Sequence, residues 1–137
     1  MSAPTIQVRR SVYERDGKQC VSCRDVDGLT YQHRASTGMG GSKSQPTVVG
    51  GLTLCLLCNQ SCEAENQTRA IVWGHKIRRW QNPSNVPVFY PHEHAWYRFE
   101  GTRRIRITSE LAVEMMCAAH GDTWMQLWAA EMLGDLI

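Results

Sequence analysis

Apolar positions along the chain change their spacing several times, and each change marks an element. Val8, Val12 and Tyr13 face inward around Ser11-Val12-Tyr13-Glu14-Arg15, which predicts a short N-terminal helix broken by Asp16-Gly17. Leu29-Thr30-Tyr31-Gln32-His33 alternates with β-branched and aromatic content, as a strand does. Residues 36–51 carry five glycines, three serines and Pro46 and read as a long loop, unusual in a small domain and more often functional than idle. Leu52-Thr53-Leu54 follows. Asn59 to Trp73 reads as one helix, with Ala64, Ala70, Ile71 and Trp73 toward the core and Gly74 as its stop.

Short strands and turns are expected over 75–107. Trp80-Gln81-Asn82-Pro83-Ser84 reads as a turn, and Val86-Pro87-Val88-Phe89-Tyr90 as an edge strand, since proline disfavours a central one. Trp96-Tyr97-Arg98-Phe99 and Arg103-Arg104-Ile105-Arg106-Ile107 flank Glu100-Gly101-Thr102 as a hairpin. Thr108 or Ser109 caps a helix running to His120, where Gly121 stops it. Thr123-Trp124-Met125-Gln126 has the form of a capping box and opens a second helix, apolar over much of its length. The expected class is α+β, with residues 1–107 as one domain and 108–137 as a C-terminal helical hairpin that packs back or meets a partner.

At 137 residues, 42% of them apolar and 20% charged, the chain can bury an ordinary core. No run approaches the roughly 20 apolar residues of a membrane span. The start, Met1-Ser2-Ala3-Pro4-Thr5-Ile6-Gln7, lacks the order of a signal peptide, so the expected setting is a reducing cytoplasm. Six cysteines in such a compartment point to metal, not disulfides. Cys20-Val21-Ser22-Cys23 and Cys55-Leu56-Leu57-Cys58 are two Cys-x-x-Cys pairs, and two such turns complete a closed tetrahedral site with no open position for chemistry. The ion expected there is structural Zn²⁺. Cys62 and Cys117 read as small buried hydrophobes.

The formal charge of +2 is unevenly spread. Residues 69–106 hold eight basic side chains against Glu93 and Glu100, whereas residues 107–137 hold five acidic ones and no lysine or arginine. A basic middle can neutralise phosphates, and an acidic end repels them or shields that middle. Of the histidines, His92 and His94 alternate on a candidate strand and could share a metal, while His75 and His120 read as surface residues.

Between the knuckles stand Tyr31-Gln32-His33-Arg34, Gly38-Met39-Gly40-Gly41 and Gly50-Gly51-Leu52-Thr53-Leu54-Cys55, followed by Cys58-Asn59-Gln60-Ser61-Cys62-Glu63. With the Glu14-Arg15-Asp16-Gly17 lead-in and the downstream Gly74-His75-Lys76-Ile77, Trp80-Gln81-Asn82-Pro83 and Val86-Pro87-Val88, this order resembles the bacteriophage branch of the HNH endonuclease family over about residues 8–107. The resemblance implies a ββα-metal, treble-clef-like core braced by the four cysteines. It implies His33 as general base, the place of the first catalytic-metal ligand at Gln32, that of the base-orienting Asn at Gly50, and that of the last ligand at Asn59, with Glu63 at an acidic position common in the family. It further implies backbone contacts to double-stranded DNA from Arg34, Lys43, Arg69, Lys76, Arg78 and Arg79.

Gln32 and Gly50 depart from the family pattern, and Asn59 fits only its minority variant. Mg²⁺ or Mn²⁺ favours anionic oxygen, and two neutral amides are a poor substitute. Loss of the group that orients a catalytic histidine reduces rate by about 10⁴ in a comparable dyad. Two expectations follow. One is a DNA-binding HNH-type protein of a bacterial host's cytoplasm, with phosphodiester hydrolysis weakened or lost. The other is an inactive descendant that grips a host or phage protein, or a second copy, through Trp124, Trp128 and Met132.

Overall fold

The computed structural model describes residues 3–35 and 45–135, with side chains placed through residue 131. Lys43 and the Gly38–Gly41 run lie outside the described residues, as does the Met132 side chain. Among the described residues the fold is mixed α+β, with two small antiparallel sheets and five α-helices.

Helix α1 spans Ile6–Arg15, five residues longer at its start than the pattern suggested. Its N-cap explains the extension: the Thr5 hydroxyl accepts from Val8 N at 3.1 Å. Val12 is fully buried and Val8 half-buried. The first knuckle then closes on itself, with Cys20 N donating to Asp25 O at 2.8 Å and Arg24 in the left-handed region at φ 69°.

Strands β1 (Leu29–His33) and β2 (Gly51–Cys55) form a two-stranded ribbon in which Tyr31 opposes Thr53, Gln32 opposes Leu52 and His33 opposes Gly51. The chain passes directly from β2 into α2 (Leu56–Ser61). The single helix expected from Asn59 to Trp73 is instead two, α2 and α3 (Gln67–Val72), separated by turns. Glu63, Ala64 and Glu65 in the gap are all exposed, and a short helical turn with no buried face is not stable alone. Gly74 ends α3 at φ +72°, where a Cβ would lie 1.9 Å from Pro87 O.

The second sheet has the order β3-β4-β5, with β3 at Val88–Tyr90, β4 at Ala95–Glu100 and β5 at Arg103–Ile107. The expected edge strand and hairpin are both present. His92 and His94 do not alternate on a strand: Pro91–Glu93 is a 3₁₀ turn and His94 is left-handed at φ 50°. Thr108 caps α4 (Ser109–His120), its hydroxyl accepting from Leu111 N at 3.1 Å. Helix α5 spans Thr123–Asp135. Thr123 is already helical, and its hydroxyl donates back to His120 O at 3.0 Å instead of forming the expected capping box.

Two cores result. Cys20, Val21, Leu52, Leu54, Tyr97 and Phe99 belong to the first, under the ribbon. Val72, Ile77, Trp96, Ala112, Met116 and Trp124 belong to the second, where α4 and α5 close. Strand β4 serves both, because neighbouring side chains on a strand point to opposite faces. No helix among the described residues is long and apolar enough to cross a membrane.

Candidate functional site

Cys20, Cys23, Cys55 and Cys58 meet where the first knuckle faces the β2–α2 junction, with all four sulfurs within 4.8 Å of one another. Cys23 Sγ and Cys55 Sγ are 3.7 Å apart, far beyond the roughly 2.05 Å of a disulfide. Cys23 N donates to Cys20 Sγ at 3.5 Å, so the knuckle backbone stabilises negative charge on sulfur. Burial, together with the charge of Cys20, pushes the Cys58 thiol above its ordinary value. Four thiols so placed can hold a metal ion. They are the only group of three or more His, Cys, Asp or Glu side chains so arranged among the described residues. Cys62 is buried in the first core as expected, and Cys117 packs half-buried against the second.

A buried pair anchors the ribbon. Arg15 reaches Asp16 through Nε at 2.8 Å and Nη2 at 2.9 Å, Val48 O through Nη1 at 2.8 Å and Gly51 O through Nη2 at 2.8 Å. Asp16 also accepts from Thr53 N at 2.9 Å and from the Tyr90 hydroxyl. The Arg15 guanidinium lies 3.7 Å from the centre of the Phe99 ring. Every polar atom of this pair has a partner, the condition under which a buried ion pair is tolerated.

Arg34 is not placed to hold DNA. It is 0% exposed, and its guanidinium donates to Gly74 O, Val49 O, Pro83 O and Val86 O at 2.7 to 3.1 Å. Planar, fixed donors make arginine suited to gathering four carbonyls from three separate segments. Nor is Lys76 an exposed phosphate ligand: it is buried, and its Nζ pairs with Glu63 Oε2 at 2.6 Å. Arg69 faces Glu131 at 3.5 Å and lies over the Trp73 ring, so the acidic C-terminal helix engages part of the basic middle. Arg78 and Arg79 are exposed.

The residues of the expected catalytic set lie on the ribbon and α2. His33 ends β1, half-buried, and its ring meets Tyr31 edge to face at 4.8 Å and 80°. The Tyr31 hydroxyl donates to Thr47 O at 2.7 Å. Its ring lies where a side chain on Gly51 would stand, since a Cβ there would be 2.1 Å from Tyr31 Cε2. Gln32 is 3% exposed, and its Nε2 is buried with no hydrogen-bond partner among the described residues. Asn59 Nδ2 donates to Thr30 Oγ1 at 2.8 Å, tying α2 to β1. No family model matches the chain, and neither a curated protein nor a solved structure matches it.

Two expected surface histidines are partly or wholly interior. His75 is 2% exposed, with Nε2 donating to Phe89 O at 2.8 Å, and burial pulls its pKa down to about 4. His120 is half-buried, its Nδ1 accepting from Gln81 Nε2 at 3.2 Å. Trp124, expected at a partner contact, is 1% exposed, and its Nε1 donates to Val72 O at 3.2 Å. Trp128 is 39% exposed and stacks on it. Gln81, in the Trp80–Ser84 turn, joins that turn to α4 by donating to Ala119 O at 2.9 Å.

Proposed function

We propose that this chain is an HNH-type, zinc-braced protein that binds double-stranded DNA and whose metal-dependent phosphodiester hydrolysis is weakened or lost. The observation that carries this reading is local. An antiparallel ribbon runs without a connector into a short helix, the pair is clasped by four cysteines, and His33 ends the first strand opposite Gly51, at the far end of the ribbon from the start of that helix. Zinc suits the clasp: a tetrahedron with Zn–S near 2.3 Å spaces its sulfurs about 3.8 Å apart, against 3.7 Å for Cys23 and Cys55. The site is closed by four protein ligands, so this zinc would be structural.

A second, hard cation fits poorly beside His33. Gln32 and Asn59 offer neutral amides, Asn59 already spends its Nδ2 on Thr30, and the only nearby acid in the set, Glu63, is held by Lys76. Mg²⁺ is ordinarily held by one or two carboxylates. The Gln32 amide, without a partner among the described residues, marks the weakest point of the set, since a buried donor left unpaired costs about 1–3 kcal/mol. Gly50 has no side chain with which to orient His33, and the edge of Tyr31 packs against the His33 ring. DNA affinity on this reading comes from Arg78, Arg79 and the exposed arginines of the β4–β5 hairpin, with no contribution from Arg34.

Supercoiled plasmid incubated with Mg²⁺, Mn²⁺ or Ni²⁺ tests the hydrolytic half, with His33→Ala alongside. The expected result is slow nicking at most, absent in His33→Ala and raised by Gln32→Asp combined with Gly50→Asn. A Cβ at Gly50 would meet Thr47 Oγ1 at 2.9 Å, so that hydroxyl must turn aside in the repaired variant. Nicking that persists in His33→Ala, or a folded repaired variant that never cuts, would count against an HNH site. A salt-dependent gel shift tests binding independently of cleavage. The interaction-module reading is favoured by one feature, the exposure of Leu111, Val113, Met125 and Trp128 on α4 and α5. It predicts no gel shift at any salt concentration.

A further inference from the structure

Trp80 is 76% exposed, the most exposed of the five tryptophans, and the fold holds it there. Arg78 N donates to Gln81 Oε1 at 2.7 Å, while Gln81 Nε2 donates to Ala119 O and to His120 Nδ1. These bonds fasten the turn to the C-terminal end of α4. Between turn and helix lies an open groove of about 490 Å³, walled by Trp80, Val86, Met115, Ala118 and Ala119, with the amides of Asn82 and Asn85 also lining it. None of its lining residues is acidic.

We infer that this groove takes one unpaired nucleobase of a DNA strand, stacked on Trp80, with the flanking phosphates held by Arg78 and Arg79. An indole face presented to solvent beside a groove of this size offers a stacking platform for a flat heterocycle. The amides suit a base edge. Asn82 Oδ1 already accepts from Ser84 N at 3.0 Å, which leaves its NH₂ to donate, and the Asn85 amide bonds no other described residue. An amide that can donate and accept matches the edges of an unstacked base. Charge favours the same occupant. Arg78 and Arg79 are exposed and pair with no carboxylate among the described residues. The Arg78 backbone N–H is bonded to Gln81 Oε1, which anchors Arg78 beside the Gln81 wall of the groove.

The inference rests on the DNA-binding half of the proposed function and not on cleavage. It predicts a preference for single-stranded or unpaired DNA over perfect duplex. A labelled 12-nucleotide oligothymidylate and a duplex of equal length, followed by fluorescence anisotropy, provide the test on the full chain. Trp80→Ala is expected to weaken single-strand binding about 5- to 100-fold and leave duplex binding unchanged. Trp80→Phe should recover most of the loss, and Arg78→Gln with Arg79→Gln should flatten the salt dependence for the single strand. Because the indole is exposed, Trp80→Ala should keep the wild-type circular dichroism spectrum. Equal single-strand affinity in wild type and Trp80→Ala overturns the inference, as does tighter binding to duplex than to single strand. Light scattering that shows a dimer dissolved by Trp80→Ala also overturns it, because a second copy would then fill the groove. Absence of binding to either oligonucleotide would sink the DNA reading as well, whereas duplex binding with no preference for the single strand would sink this inference alone.

Discussion

His75 sits under β3 with its Nε2 proton given to Phe89 O, closed off from water and pulled down to about 4. The unfolded chain binds a proton there near pH 6.5, so between that value and about 4 it holds more proton than the folded one. Stability from this residue is therefore complete above pH 6.5 and is lost as the pH falls through the window, by about 3 kcal/mol at its floor. Urea unfolding at pH 7 and pH 4.5 should show a smaller acid loss in His75→Gln, whose amide can still donate to Phe89 O. An identical loss in both proteins would remove His75 from the account. Nothing in the composition around residue 75 announces this. Arg34 and Lys76 carry the same lesson: their charge suggested phosphate, but Arg34 is buried by carbonyls from residues 49, 74, 83 and 86, and Lys76 pairs with Glu63. A residue's type is visible in the sequence, whereas partners brought by distant segments are not.

Elements with local signals were legible, and those decided by packing were not. The β4–β5 hairpin, the Thr108 cap and the Gly121 stop each depend on a few adjacent residues, and all stand where the pattern put them. Thr5 is a cap of the same kind, but the turn it opens carries little apolar signal, with Ile6 exposed and Val8 only half-buried. The split between α2 and α3 had no such mark, since its cause is the lack of anything buried over 63–65. Helix α5 is also set by packing. Trp124 fills the second core with Trp96, Ala112 and Met116 and donates to Val72 O, whereas Trp128 lies on its outer side, 39% exposed. Trp124→Ala should lower stability by about 3–5 kcal/mol, and Trp128→Ala by under about 1 kcal/mol. Thermal melts of the two variants check this, and equal losses would place both indoles in the same environment.

The two cores are joined at more than one place, so the four-cysteine clasp at one end bears on the whole molecule. Strand β4 supplies Tyr97 and Phe99 to the first core and Trp96 to the second. Arg34, at the end of the ribbon, bonds the turn beyond α3 and the segment entering β3, and Ala35 bridges Ile77 beside them. Structural zinc bound by thiolates is worth about 10–16 kcal/mol near neutral pH, as much as or more than the 5–15 kcal/mol that stabilises an ordinary domain. On the zinc reading proposed above, withdrawing the ion leaves too little to hold either core. Chelation at pH 7 should bring one cooperative loss, in which far-ultraviolet dichroism and the fluorescence of Trp96 and Trp124 change together, although both indoles lie in the core without the cysteines. Acid should act in the same direction, because the crowded thiols take up protons as they release metal. If chelation collapses the ribbon signal while the buried tryptophans keep their native emission, the cores are energetically separate. The Arg34 carbonyl bonds and the shared strand would then be contacts without mechanical consequence.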